Sequence, residues 1–176
     1  MGLEIRVVPG DLLGPRREEV FALCERAYLQ DLRAIPGSFD NPQHVLGIDA
    51  GTVVSHALWI TRWLAPGSSA PLRTAYVEAV ATDPDEQGRG FASAVMRRLV
   101  REVAGFELAA LCPSDGGQPL YARLGWETWT GPLSIRHGPR VTDTSDESIM
   151  IHRLPRTPAL DLRDPMSAEW RPGELW

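Results

Sequence analysis

The sequence predicts one α/β domain built on a mixed, mostly antiparallel sheet that is flanked by helices. The chain has 176 residues, of which 43% are hydrophobic, so it can bury one substantial core but is too short for two full domains. Strand and helix patterns alternate along it. Around residues 74–112 a strand, a helix and a second strand follow each other, which predicts one parallel pair joined by a crossover helix.

The first half of the chain contains both alternating and helical apolar patterns. Residues 16–29 repeat apolar side chains at helical spacing, and Ala50-Gly51 separates two apolar stretches as a hairpin turn does. The predicted elements are a strand at 4–8, a helix at 16–29, a loop or short irregular helices at 31–43, and hairpin strands at 45–48 and 53–63.

The second half is punctuated by glycine and proline. Pro119 near the first turn and Gly125 after the last turn delimit a short helix. The predicted elements are a strand at 74–82, a helix through 94–100, a strand at 106–112, a helix at 119–124, and strands at 127–135 and 148–154. The tail, residues 155–176, is rich in Pro, Asp and Arg, but its tryptophans favour a tail that packs back over the fold.

Composition excludes several classes of function. The net charge is −5, which argues against a nucleic-acid partner and mildly favours a cationic substrate. No apolar run approaches the roughly 20 residues that span a bilayer, and no signal-peptide pattern opens the chain, so we expect a cytoplasmic protein without a membrane partner. Two cysteines and four histidines show no ligand spacing, so we expect no metal, and both cysteines are interpreted as small buried apolar residues.

A glycine-containing segment, Gln87-Gly88-Arg89-Gly90-Phe91-Ala92, joins the strand at 74–82 to the following helix. The first N–H groups of a helix lack intrahelical partners and the helix dipole is positive there, so glycines let a diphosphate approach the bare backbone. The spacing matches neither the dinucleotide nor the triphosphate loop, and the chain has no lysine for the latter. A plain strand-to-helix turn is the alternative interpretation.

The same segment reads Q-x-x-G-x-A, which resembles the pyrophosphate loop of the GNAT acetyltransferases, and the order of elements is also the GNAT order. The resemblance implies the GNAT fold and acetyl-CoA or coenzyme A as cofactor. In GNAT enzymes the loop binds the diphosphate, and the preceding strand pairs its backbone with pantetheine and polarises the thioester. The implied cofactor-binding residues are Ala79, Val80, Thr82, Gln87, Gly88, Arg89, Gly90, Phe91 and Ala92, with Ala81 also on that strand.

Two side chains are candidates for acid–base chemistry. Glu78 is a carboxylate in a strand that otherwise appears buried, where an unpaired charge costs several kcal/mol. It either forms a structural ion pair with an arginine or binds the substrate ammonium and receives its proton through water. Tyr121 follows the second core strand, where the GNAT pattern places a tyrosine that protonates the thiolate of coenzyme A. Its alternative role is an aromatic contact between helix and strand.

From Tyr76 onward the chain resembles one GNAT subgroup, the aminoglycoside 2′-N-acetyltransferases. Three motifs carry the resemblance: Tyr76-Val77-Glu78; Leu120-Tyr121-Ala122 followed by Gly125-Trp126; and the ending Trp170-Arg171-Pro172-Gly173-Glu174-Leu175-Trp176. The subgroup transfers acetyl directly from acetyl-CoA to the 2′-amine of aminoglycoside antibiotics and so confers resistance. The family is commonly dimeric, which predicts a homodimer.

The subgroup binds its antibiotic through acidic side chains and the terminal carboxylate, because aminoglycosides carry several ammonium groups. The resemblance implies Asp31, Glu78, Asp146, Glu174 and Trp176 as substrate-binding residues. For Asp146, a solvated acidic loop is the equal alternative. Where the subgroup has serine after the second core strand, this chain has Cys112-Pro113, so the resemblance does not carry over a hydroxyl contact to the substrate there.

Two other functions stay open from the sequence. The first keeps the chemistry and changes the acceptor to another polyamine, amino sugar or peptide amine. The second is a catalytically silent sensor that binds acetyl-CoA without turnover.

Overall fold

The computed structural model describes residues 2–28, 39–144, 146–172 and 176. Its α-helices are α1 (Arg16–Tyr28), α2 (Phe91–Glu102) and α3 (Gln118–Arg123), and short 3₁₀ helices lie at Gly10–Leu12 and Pro84–Glu86. Its strands are β1 (Glu4–Pro9), β2 (Gln43–Asp49), β3 (Thr52–Pro66), β4 (Leu72–Thr82), β5 (Leu108–Leu111), β6 (Glu127–Thr128), β7 (Leu133–His137), β8 (Arg140–Asp143), β9 (Met150–Arg153) and β10 (Met166–Glu169). None of the helices in these ranges has the length and apolar character that a membrane span requires.

The chain divides into two compact units. The first contains Met1–Ile60 and Val77–Glu102, and the second contains Thr61–Tyr76 and Val103–Trp176. The long strands β3 and β4 each contribute residues to both units. The extent of the domain, predicted as 1–176, stays a prediction.

The first unit is an antiparallel sheet covered by helices. Strand β1 pairs with β2 along its whole length, and β2 pairs with β3. A Cβ on Gly47 of β2 would lie 3.1 Å from Cγ2 of Val95, so glycine there allows α2 to pack closely against the sheet. The core combines side chains of α1 and the sheet: Val20, Leu23, Cys24, Leu46, Ile48, Val53 and Ala81, with Leu13. The predicted hairpin and both predicted helices of this unit are confirmed.

The second unit contains the mixed part of the sheet, with strand order β6-β9-β5-β4-β3-β10-β7-β8. Strand β4 pairs in parallel with β5 over Thr74–Tyr76, and β10 pairs in parallel with β7. Among the described residues of this unit the other strand pairs are antiparallel, including β5 with β9 and β7 with β8. The predicted fold class, a mixed and mostly antiparallel sheet with flanking helices, is confirmed.

The single strand predicted at 127–135 is wrong, because the segment forms two strands at distant places in the sheet. Strand β6 pairs with β9, whereas β7 lies between β10 and β8. Gly131 and Pro132 separate them, since proline has no N–H for a ladder and the N–H of Gly131 donates instead to the carbonyl of Leu162. The predicted strand at 148–154 is confirmed as β9.

Part of the tail is a strand that the sequence analysis did not predict. Strand β10 pairs with both β3 and β7, and Arg62 of β3 is buried beside it with 1% of its side chain exposed. The guanidinium of Arg62 donates to the carbonyl oxygen of Glu169 at 2.8 Å and lies 4.8 Å from the ring centre of Tyr76. These contacts fix the path of residues 166–169. That the tail packs at the substrate site stays a prediction.

Gly131→Ala is expected to destabilise the protein strongly. The added Cβ would lie 2.0 Å from the carbonyl oxygen of Asp164 and 2.6 Å from that of Arg163, and neither backbone group can rotate away as a side chain would. We expect a loss of about 3 kcal/mol in the free energy of unfolding, measured by urea denaturation. Gly116→Ala is the matched control, because nothing lies within 4 Å of its added Cβ. Equal urea midpoints for the two variants would contradict this packing.

Candidate functional site

The end of β4 leaves the regular extended conformation at Ala79. This residue has a φ of 50°, a left-handed value that costs a residue with a side chain roughly 1–2 kcal/mol. Glu78, Ala79, Val80 and Thr82 are half-buried, whereas the strand before them is buried from Thr74 to Val77. The irregular backbone therefore coincides with the residues predicted to face pantetheine.

Three side chains of the first unit hold three consecutive carbonyl groups of this segment. Nδ1 of His56 donates to the carbonyl oxygen of Ala79 at 2.7 Å, and the hydroxyl of Tyr28 donates to that of Val80 at 2.5 Å. The hydroxyl of Ser55 lies 3.2 Å from the carbonyl oxygen of Ala81 and 2.8 Å from the hydroxyl of Thr82. Side chains thus define the path of the backbone at residues 79–82. The sequence analysis assigned no role to Tyr28, Ser55 or His56.

The loop at 87–92 leaves its backbone open. Gly88 and Gly90 have φ values of 78° and 82°, and nothing lies within 4 Å of a Cβ built on either. Helix α2 begins at Phe91, and its first turn contains no acidic residue that would repel an anion. Gln87 is exposed and Ala92 is half-buried. These features fit a diphosphate at the helix N-terminus.

Arg89 lies between the two glycines. Its guanidinium pairs with Asp49 at 3.1 Å and with Glu86, and lies 4.5 Å from the ring centre of Phe91. The carboxylate of Glu86 raises the pKa of Arg89, so this side chain stays charged. These contacts hold the loop beside the helix start.

Tyr121 belongs to the second unit and lies on α3. Only 6% of it is exposed, and its ring centre lies 6.1 Å from that of Trp126. Burial raises the pKa of Tyr121 to about 12, and an electrostatic interaction with Cys112 makes a smaller contribution in the same direction. The phenol is therefore protonated at neutral pH and able to donate a proton.

The interpretation of the two cysteines is half right. Cys24 is buried in the core of the first unit, and burial raises the pKa of its thiol to about 12. Cys112 is exposed, because β5 ends at Leu111 and the next residue leaves the sheet. The prediction that Cys112 is buried is wrong.

The chain end lies against the loop that contains the acidic stretch. Trp176 is 3% exposed, and its indole N–H donates to the hydroxyl of Thr144 at 2.7 Å. Asp146, two residues further along the same loop, is exposed. The second unit thus brings together Trp176 and the Asp146 loop.

The remaining predicted site residues divide between the units and the undescribed parts of the chain. Glu78 and the loop at 87–92 belong to the first unit. Asp31 and Glu174 lie outside the described residues. Within the described ranges, no group of three His, Cys, Asp or Glu side chains is arranged to hold a metal ion.

Gly90→Ala is expected to weaken cofactor binding. Alanine at a φ of 82° is strained, and its methyl group would occupy the space in which the backbone is now open. We expect the dissociation constant for coenzyme A, measured by calorimetry, to rise about 10-fold, which is about 1.4 kcal/mol. Gly51→Ala is the control, since Gly51 has a φ of 86° and equally open space in the β2–β3 turn. If both variants bind coenzyme A equally, the loop is not the diphosphate site.

Comparison with known proteins agrees with this geometry. The acetyltransferase (GNAT) domain family matches residues 16–129. An aminoglycoside 2′-N-acetyltransferase from Mycolicibacterium fortuitum is 34% identical over 158 residues, which cover 82% of this chain and 80% of that protein.

Solved structures share the fold. The GNAT family N-acetyltransferase YhbS from Escherichia coli, in complex with coenzyme A, has a TM-score of 0.62 at 16% identity, covering 97% of this chain and 92% of that one. Eis1 from Mycobacterium abscessus has a TM-score of 0.62 at 20% identity, and the match covers 76% of this chain but only 32% of Eis1. The family match and a neighbour with coenzyme A bound indicate that the cofactor is acetyl-CoA or coenzyme A. The chain belongs to the GNAT acetyltransferases.

Proposed function

We propose that this protein transfers the acetyl group of acetyl-CoA directly to the 2′-amine of aminoglycoside antibiotics and so confers resistance. The observation that carries the proposal is the 34% identity, over four fifths of both chains, to an aminoglycoside 2′-N-acetyltransferase. The ending that resembles this subgroup, residues 170–176, supports it independently of the GNAT motifs.

In this proposal the first unit binds the cofactor. The diphosphate lies against the N–H groups of residues 87–92, where Gly88 and Gly90 leave room for it. The backbone of residues 79–82 pairs with pantetheine and polarises the thioester, and the side-chain bonds to its carbonyl groups keep that backbone in place. When bound, acetyl-CoA supplies the activated acetyl group.

Acidic groups bind the antibiotic. Asp31, Glu78, Asp146, Glu174 and the terminal carboxylate of Trp176 contact ammonium groups of the substrate. The buried indole of Trp176 and its bond to Thr144 support this role, because they hold the chain end on the loop of Asp146. Several carboxylates favour a polycation over a neutral sugar.

Two residues move protons. Glu78 accepts the proton of the attacking amine through water, and Tyr121 donates a proton to the leaving sulfur. A phenol with a pKa of about 12 holds its proton at neutral pH and so has one to donate, and burial makes it a weaker acid than an exposed tyrosine. No residue forms a covalent bond to the acetyl group, since the amine attacks the thioester directly. We also propose that the enzyme is a cytoplasmic homodimer. Light scattering can test the oligomeric state.

The test is thiol release from acetyl-CoA with two acceptors that differ at one position. Tobramycin has an amine at the 2′ position, whereas kanamycin A has a hydroxyl there. Turnover with tobramycin alone is the expected result. Equal turnover with both would place the reactive amine elsewhere on the antibiotic. Turnover with neither would contradict the proposal that aminoglycosides are substrates.

A further inference from the structure

Two histidines form a buried chain of hydrogen bonds in the first unit. His44 on β2 is 6% exposed and His56 on β3 is fully buried. Nδ1 of His44 lies 2.8 Å from Nε2 of His56, and Nδ1 of His56 lies 2.7 Å from the carbonyl oxygen of Ala79. This series of hydrogen bonds therefore ends on Ala79, the one residue of β4 that has a left-handed backbone.

The bonding pattern assigns the proton positions. The carbonyl of Ala79 can only accept, so the proton of His56 is on Nδ1. Burial lowers the pKa of His56 to about 3, so its ring is neutral and its Nε2 accepts a hydrogen bond from Nδ1–H of His44. Burial also lowers the pKa of His44 to about 4, helped by the charge of Arg17. Both rings are neutral near pH 7, and the donors run from His44 to His56 to Ala79.

Stability alone does not explain this pair. Nε2 of His44 is buried without a hydrogen-bond partner among the described residues. An unsatisfied buried polar group destabilises the folded state, and a pair of apolar side chains of similar shape would avoid that cost. The pair's effect on the backbone offers a better explanation, because a strained conformation persists only where its surroundings hold it.

The neighbouring contacts point to the same segment. Tyr28 and Ser55 hold the next two carbonyl groups, so His56 is the first of three consecutive supports. Of the three, only His56 holds the carbonyl of the residue at which the strand turns, Ala79. Its own orientation is fixed in turn by His44.

We propose that the His44–His56 pair is a positioning device for acetyl transfer, which holds the backbone turn at Ala79 so that the following N–H groups face the thioester carbonyl. The inference rests on the proposed placement of the thioester along residues 79–82. His56 acts through Ala79 and His44 acts through His56, so both are positioning residues. Donors that are held in place before the reaction stabilise the charge that develops on the carbonyl oxygen.

A pair of substitutions separates positioning from packing. In His56→Asn the amide nitrogen occupies the place of Nδ1 and keeps the donor to Ala79. In His56→Gln the amide nitrogen occupies the place of Nε2, and that donor is lost. The main readout is the infrared C=O stretch of bound acetyl-CoA labelled with ¹³C at the carbonyl. The second is kcat with tobramycin, and the third is the dissociation constant for coenzyme A, which has no acyl carbonyl.

We expect the wild-type protein to lower the stretching frequency relative to free acetyl-CoA. His56→Gln should lose most of this shift and reduce kcat about 10-fold or more, since one mispositioned oxyanion donor costs up to about 10²- to 10³-fold. Its affinity for coenzyme A should stay within about twofold, and His56→Asn should retain the shift. A second pair of variants repeats the comparison at the other histidine: His44→Leu removes the donor to His56, and His44→Asn keeps it.

Three results would overturn the inference. In the first, the wild-type protein does not shift the C=O stretch. In the second, both variants of a pair retain the shift. In the third, His56→Asn and His56→Gln both lose coenzyme A affinity and kcat together, as a packing defect would cause. The infrared and coenzyme A measurements use no acceptor amine. They therefore test this inference even if no aminoglycoside is a substrate, and the acceptor assay fails or succeeds separately.

Discussion

Tyr121→Phe is expected to lower kcat about 100-fold or more, because general acid catalysis contributes about 10²- to 10⁴-fold and phenylalanine keeps the ring without the proton. The ring is 6% exposed and packs near Trp126, so phenylalanine fits the same space. The KM for acetyl-CoA and the thermal midpoint should change little. Steady-state kinetics with tobramycin measures the effect, and a kcat within threefold of wild type would exclude Tyr121 as the acid.

The raised pKa of Tyr121 sets the pH dependence of this role. Its folded value of about 12 lies above the ordinary value of 10, so the phenol still carries its proton where an exposed tyrosine would begin to lose it. The same shift stabilises the folded state below pH 10, and that contribution is lost as the pH rises from 10 towards 12. A decrease in kcat between pH 8 and pH 10 should therefore persist unchanged in Tyr121→Phe, because another group causes it.

Adding one glycine after Trp176 is expected to raise the KM for tobramycin at least about 10-fold, which corresponds to about 1.4 kcal/mol. The indole can stay buried and bonded to Thr144, but the terminal carboxylate moves by one residue, roughly 3.5 Å. The loss of one charge-assisted contact then weakens binding of the polycation. The KM for acetyl-CoA should be unchanged.

Trp170→Ala is the control for the chain end. Trp170 is also a tail tryptophan, but it is 46% exposed and stacks on His137. We expect the KM for tobramycin to stay within about twofold in this variant, since surface changes have small effects. If the glycine extension is equally harmless, the terminal carboxylate does not contact the antibiotic.

Local sequence patterns predicted most of the fold. Apolar periodicity placed α1, the β2–β3 hairpin, β4 and α2, because each is long and repeats its pattern several times. The failures are short elements whose pairing is set by distant residues. The four residues of β10 lie in a tail rich in proline, and only their pairing with β3 and β7 makes them a strand.

The candidate site also combines a local motif that the sequence predicted with long-range contacts that it did not. The loop at 87–92 is a contiguous motif at a helix start, so the residues themselves indicate a diphosphate site. The supports of β4 were missed, since Tyr28, Ser55 and His56 act on backbone carbonyl groups 23 to 52 positions away in the sequence. Nothing in the spacing of a single histidine in a strand distinguishes such a contact from ordinary core packing.

The position of the acetyl group on the product is the most direct test of the proposed reaction. Tobramycin is incubated with the protein and with acetyl-CoA labelled with ¹³C in the acetyl group, and the product is mapped by two-dimensional NMR. We expect one labelled acetyl group, bonded to the 2′ nitrogen. A label on any other nitrogen, or no labelled antibiotic at all, would contradict the proposed 2′-N-acetylation of aminoglycosides.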